Sequence, residues 1–337
     1  METYFYFNNN GECSLPNQEL ISQIKSKNEE PLLIMDSSVC LDIVKYIDKK
    51  TLPLKDEERI ISLFKYLNDS DIGINESWGV LELCHNSNLL TIDKLKFRDY
   101  TGRIVYSLQL PIDILISKKF DLIDKVIETE ENILGDISVL EPLLVSSYCS
   151  LLKIRSLALN GLSKQKAKKN FFNFLQWIDN DLNILMAIEC QLAAYIFGGM
   201  NAFRKMIWLD NNPAECKQKL WGTAWDILHY RIHCNYSELV KINNIQNRNI
   251  FVTKDRTLFK LISKLTLLAA IVTGDKVNKT IIHSNDNYPN FKDDYDEISR
   301  FQTDLNLRRV LKMKKFKFNK TKVLKMIEEL EKNNNIS

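Results

Sequence analysis

The chain has 337 residues, 45% hydrophobic and 26% charged, with few Gly and Pro, an ordinary globular composition long enough for one large domain or two modest ones. Its net charge of +3 excludes bulk charge as a source of nucleic-acid affinity, which has to come from a local basic patch instead. The N-terminus METYFYFNNNGECS lacks a basic region followed by an apolar core, and the longest apolar stretch, Ile184 to Met200, is broken by Glu189 and Gln191; neither a secretory signal nor a membrane span is expected.

A polar lead-in with a short helix around Glu19 to Lys25 precedes the apolar run Leu32 to Met35, which has the length and flanks of a buried strand. Asp36 stands at its end, and Ser37 or Ser38 can cap a helix beginning with Val39. A second helix opens at Lys55, with Ile60, Ile61, Phe64 and Leu67 at helical spacing, and the turn cluster Asn68 to Asp71 follows. Ile72 to Ile74 reads as a short strand and Ser77 as the start of a helix over Trp78 to Cys84. Arg103 to Ile116 is dense enough in apolar residues for one more strand. Lys118 to Met206 is almost wholly helical in pattern, with Lys164 to Lys169 a basic loop or helix start and Leu182 to Phe197 a helix buried nearly all round. A helix from about Pro213 to His233, a polar linker over Lys241 to Asn249, the strand Asn249 to Val252 and a helix over Leu258 to Leu268 come next. Ile281 and Ile282 suggest a last short strand, and Ser284 to Asp296 a loop. The seven cysteines are scattered and never form a C-x-x-C pair, which points to reduced core thiols and a reducing cytoplasm.

Four carboxylates stand out by context. Asp36 and Asp255 each follow a strand directly, Glu82 lies in the helix after Ile72 to Ile74, and Asp226 sits within the apolar and aromatic helix WGTAWDILHYRI. An acid on an apolar helix is costly to bury unless something compensates it, and a divalent cation does so. Mg²⁺ and Mn²⁺ favour carboxylate oxygens and keep bound waters. Three of the four also have a plainer explanation, Asp36 as a helix N-cap, Glu82 as a solvated helix residue with Glu76 as competitor, and Asp255 as a turn residue neutralised by Lys254 and Arg256, whereas Asp226 stands among the apolar Trp221, Trp225, Ile227 and Leu228.

In their order, strand-MDSS-helix, ES-x-x-x-x-E, a helical Asp and strand-T-x-D-x-x-x-F resemble the PIN-domain nucleases, a family that includes the toxin halves of many bacterial toxin–antitoxin pairs. The resemblance implies an α/β fold, a PIN-like parallel sheet flanked by helices, here carrying a large α-helical insertion. It implies Asp36, Glu82, Asp226 and Asp255 as catalytic and metal-holding acids for Mg²⁺ or Mn²⁺, with Ser38 supporting the first Asp and Thr253 beside the last. It also implies hydrolysis of phosphodiesters, in RNA more than in DNA. The resembling segments are the first hundred or so residues and Trp221 to about Ser284. The expected parts are a first PIN-like part over 1–117, the insertion over 118–210, the second PIN-like part over 211–285 and a basic C-terminal extension over 286–337. The alternative is a catalytically silent PIN-like protein that binds nucleic acid or a protein partner.

The C-terminal run supplies candidate phosphate contacts in Arg308, Arg309, Lys312, Lys314, Lys315 and Lys317, interleaved with Phe316 and Phe318 that could stack on bases. It reads as an edge strand or an amphipathic segment. The insertion reads as a packing surface or as the contact of a homo-oligomer. His229 and His233 lie at i and i+4, but the glutamate of H-E-x-x-H is absent, so they are read as core or substrate-side histidines and not as zinc ligands.

Overall fold

The computed structural model describes residues 3–8, 14–86, 91–121, 141–184, 186–210, 212–239, 246–273, 276–283, 288–312 and 318–336. Parts of the expected helical stretch (122–140), polar linker (241–245) and loop (284–287) lie outside the described residues. Proximity divides the chain into two units, Met1–Gly135 with His229–Ser263, and Asp136–Leu228 with Lys264–Ser337.

The first unit is built on a four-stranded sheet in the order β1-β6-β2-β3, with β1 over Phe5–Asn8, β2 over Glu29–Met35, β3 over Gly73–Asn75 and β6 over Gln246–Thr253. β2 is parallel to both of its neighbours, β3 and β6, while β1 runs antiparallel to β6 at the edge. The mixed α/β class follows, with a small, mostly parallel sheet in a largely helical chain. Leu33, Ile34 and Met35 in β2 and Ile250, Phe251 and Val252 in β6 are all buried. Strands covered on both faces read as continuous apolar runs for this reason.

The helices of this unit are α1 (Gln18–Ser26), α2 (Ser37–Ile47), α3 (Leu54–Asp69), α4 (Ser77–Cys84), α5 (Lys94–Gln109), α6 (Ile112–Ser117) and α11 (Arg256–Ile262). A two-residue ladder joins β4 (His85–Asn86) to β5 (Thr91–Ile92). The expected strand over Arg103 to Ile116 is instead the end of α5, a short break at Leu110 and Pro111, and most of α6. Asp93 starts α5 by accepting from Lys96 N at 3.0 Å. The buried residues Phe97, Thr101 and Ile104 fall at i, i+4 and i+7, one helical face.

The second unit holds α7 (Glu141–Leu159), α8 (Lys164–Trp177), a π-turn at Ile178–Leu182, α9 (Ala187–Phe197), the hairpin β7 (Thr266–Thr273) and β8 (Lys276–His283), α12 (Tyr295–Lys312) and α13 (Lys320–Asn333). Among the described residues the basic end of the chain is helical over Tyr295–Lys312 and Lys320–Asn333, and Asn319 caps α13 by accepting from Lys322 N at 2.9 Å. α13 packs on α7, where Tyr148 Oη donates to Glu331 at 2.8 Å and Asn334 Nδ2 donates to Leu152 O at 3.2 Å. α10 (Pro213–Leu239) contributes to both units. Among the described residues no helix is long and apolar enough to cross a membrane. Cys40, Cys84, Cys149, Cys190 and Cys216 are buried free thiols.

Candidate metal centre

The register of the parallel sheet places Asp36. Met35 lies opposite Val252, and Asp36 N donates to Val252 O at 3.0 Å, so the next residue on each strand, Asp36 and Thr253, meet at the carboxyl end. Ligands gather at this end of a parallel sheet. Asp36 occupies the N-cap position of α2, yet its side chain makes no capping hydrogen bond. Its Oδ2 instead accepts from Ser38 Oγ at 2.6 Å and from Thr253 Oγ1 at 2.7 Å. Thr253 Oγ1 in turn accepts from Asp255 N at 2.9 Å, which leaves its single proton for Asp36. The carboxylate is 1% exposed.

Glu82 is brought in by a close approach of α4. A Cβ on Gly79 would lie 2.6 Å from Met35 O, 2.8 Å from Cys40 Sγ and 2.9 Å from the carbonyl carbon of Asp36. A bare Cα is what lets the helix rest on the β2–α2 junction. Glu82 follows by three residues, on the same face of the helix. Its side chain is half-buried, and Glu76, the competing candidate, stands at the N-cap of α4 outside the group described next.

The third member is His229, fully buried on α10. Its Nε2 lies 3.1 Å from the carbonyl oxygen of Trp78, and its Nδ1 lies 3.4 Å from Asp36 Oδ1 and 3.5 Å from Glu82 Oε2. All three donor atoms fall within 4.8 Å of one another, the one such group of His, Cys, Asp or Glu found among the described residues. All three residues belong to the first unit. Asp36 Oδ1 and Glu82 Oε2 are buried atoms with no hydrogen-bond partner among the described residues.

The electrostatics of this cup favour a positive charge. Burial works to raise the Asp36 carboxyl, but His229, Ser38 and Thr253 outweigh it and hold the pKa below its ordinary value. Burial works to lower the His229 imidazole, and the carboxylates of Asp36 and Glu82 with the Trp78 carbonyl lift it above the usual value. Glu82 is pushed up to about 7 by burial, with the Asp36 charge adding to it and His229 and Ser37 opposing. A buried carboxylate is retained only when paired or coordinated. Donors about 2.1 Å from one dication stand about 3.0–3.4 Å apart around octahedral or tetrahedral geometry, near the two separations measured from Nδ1. The residues therefore fit a metal ion, and the group could hold one.

The other expected site residues lie elsewhere. Asp255 is exposed and caps α11, its Oδ1 accepting from Thr257 N at 2.6 Å and Leu258 N at 2.8 Å. Asp226 is half-buried on α10, three residues before His229, and is not a member of the group. Ser38 donates to Asp36 Oδ2, and Thr253, expected beside Asp255, donates to the same oxygen while accepting from Asp255 N. Arg308 is exposed on α12, with Nη1 4.0 Å from Asp179 Oδ2. Lys314, Lys315 and Lys317 lie outside the described residues, as do the side chains of Arg309 and Lys312. His229 was the residue that sequence reasoning set aside, although the argument that singled out Asp226, a polar group on an apolar helix, applies to it equally. Compared with family models, curated proteins and solved structures, the chain matches none.

Proposed function

We propose that the chain is a metal-dependent nuclease of PIN-like type that hydrolyses phosphodiester bonds, RNA in preference to DNA, with Mg²⁺ or Mn²⁺ held by Asp36 and Glu82 and with His229 beside them. One observation carries the reading. Asp36 Oδ1 and Glu82 Oε2, buried and with no partner but His229 among the described residues, lie within 4.8 Å of each other and of His229 Nδ1 at the carboxyl end of a parallel sheet.

The ion, when bound, lowers the pKa of a coordinated water and offsets charge on a phosphoryl oxygen. The chain's own residues do the rest. Ser38 and Thr253 fix Asp36 Oδ2, so that Oδ1 stays turned into the cup. Glu82, half-buried where Asp36 and His229 are sealed, forms the side open to solvent and hence to substrate. The buried ring of His229 excludes bulk water from the inner side. Cationic residues of the C-terminal helices, Arg308 among them, supply sequence-independent attraction for a polyanion.

The test is cleavage of single-stranded RNA and of single-stranded DNA by the whole chain with Mn²⁺. Asp36→Asn and Glu82→Gln are expected to lower the rate at least 100-fold while folding is retained, and RNA is expected to be cut faster than DNA. Unchanged rates in both variants, or no cleavage of either polymer by the wild type, would remove the proposal.

A further inference from the structure

The Trp78 carbonyl decides which nitrogen of His229 carries a hydrogen. A carbonyl oxygen only accepts, so Nε2, 3.1 Å away, is the donor. In the neutral ring Nδ1 then bears the lone pair, and it is Nδ1 that lies 3.4 Å from Asp36 Oδ1 and 3.5 Å from Glu82 Oε2. A proton on Nδ1 pairs the ring with the two carboxylates, and a dication entering the cup would release that proton and take its place among the three donor atoms. Metal-binding histidines are held in this way, with the far N–H donated to a backbone carbonyl so that ring orientation and tautomer are both set.

The donor set also discriminates between ions. Mg²⁺ is a hard cation that takes oxygen ligands and keeps several waters, whereas imidazole nitrogen suits the later first-row dications. An all-carboxylate cup would offer only the oxygen ligands that suit both Mg²⁺ and Mn²⁺. One nitrogen ligand in three shifts the balance away from Mg²⁺.

We infer that Nδ1 of His229 is a metal ligand, and that the cup formed with Asp36 and Glu82 selects Mn²⁺ and Zn²⁺ over Mg²⁺. The inference rests on the metal-binding part of the function proposed above and not on its substrate. Zn²⁺, later in the first-row series and better suited to imidazole, is expected to bind more tightly than Mn²⁺.

The experiment is calorimetric titration of the metal-stripped whole chain with Mg²⁺, Mn²⁺ and Zn²⁺. The expected result is a Kd for Mn²⁺ at least tenfold below that for Mg²⁺, and lower again for Zn²⁺. His229→Gln is expected to weaken Mn²⁺ and Zn²⁺ at least tenfold and to narrow the gap to Mg²⁺. Since His229 is fully buried, the wild type loaded with Mn²⁺ is also studied by electron spin-echo spectroscopy, which is expected to show coupling to a ligand nitrogen. Equal affinity for the three ions, no binding of any, or an echo spectrum without nitrogen coupling overturns the inference. Selective binding with nitrogen coupling in a protein that cuts neither RNA nor DNA upholds it while removing the nuclease reading.

Discussion

Gly79 offers the sharpest perturbation of the site from outside it. In Gly79→Ala the new methyl would sit 2.6 Å from Met35 O and 2.9 Å from the carbonyl carbon of Asp36, both backbone atoms that cannot rotate away. An ordinary carbon–oxygen contact is about 3.3 Å or more, so α4 has to retreat by roughly 0.5–1 Å. Overpacking of this kind costs about 1–3 kcal/mol, against which the better helix propensity of Ala returns about 1 kcal/mol. The net expectation is a loss of up to about 2 kcal/mol in denaturant unfolding. Glu82 travels with its helix, so Mn²⁺ affinity is expected to fall at least tenfold as well. Gly222 on α10 is the control, because a Cβ there meets nothing within 4 Å. The same chemical change at Gly222 is expected to stabilise by about 0.5–1 kcal/mol and to leave metal binding alone. If Gly79→Ala were as stable as the wild type with unchanged Mn²⁺ affinity, the account of how Glu82 reaches Asp36 would be refuted.

Two further outcomes follow from the same neighbourhood. His233 is fully buried among the rings of Phe7, Tyr230 and Phe251, neither ring nitrogen has a hydrogen-bond partner among the described residues, and burial pushes its pKa down to about 3. The unfolded chain, with an ordinary His value of about 6.5, binds the proton first as pH falls. Stability from this residue is therefore complete above pH about 6.5 and is lost on the way down to about 3, by about 1.4 kcal/mol at pH 5.5. His233→Phe should flatten that part of the pH–stability curve, and a variant with the wild-type slope would contradict the assignment. Asp255→Ala should cost about 1 kcal/mol through loss of the α11 cap while Mn²⁺ affinity stays at the wild-type value; weakened binding would instead make Asp255 a ligand.

What could be read from the chain in advance was whatever local chemistry decides. The strand over Leu32 to Met35, the helix after Asp36 and the helix over Trp78 to Cys84 are written in apolar runs and turn residues a few positions apart. Asp36 and Asp255 show where such reading stops. Each is the residue after a buried strand and before a helix, and from sequence they are equivalent. In the fold one caps its helix and the other refuses the cap, because Ser38 and Thr253 hold its Oδ2 and turn Oδ1 inwards. His229 was hidden for a related reason. The missing glutamate of H-E-x-x-H left it as a core or substrate-side histidine, and the sequence does not say which polar atoms meet a buried ring. Arg103 to Ile116 misled by density: its apolar residues suggested a strand, while the burial of Phe97, Thr101 and Ile104 follows the helical period. The helix expected over Leu258 to Leu268 ends at Ile262, and Thr266–Thr273, rich in β-branched residues, pairs as a hairpin strand instead.

The central claim is that Asp36, Glu82 and His229 form one seat for a dication. Crystals of the whole chain soaked in Mn²⁺, with anomalous data collected near the manganese edge, test it most directly. The account predicts a peak about 2.0–2.4 Å from Asp36 Oδ1, Glu82 Oε2 and His229 Nδ1 together. No peak there, or a peak on carboxylates that leaves His229 out, would contradict it.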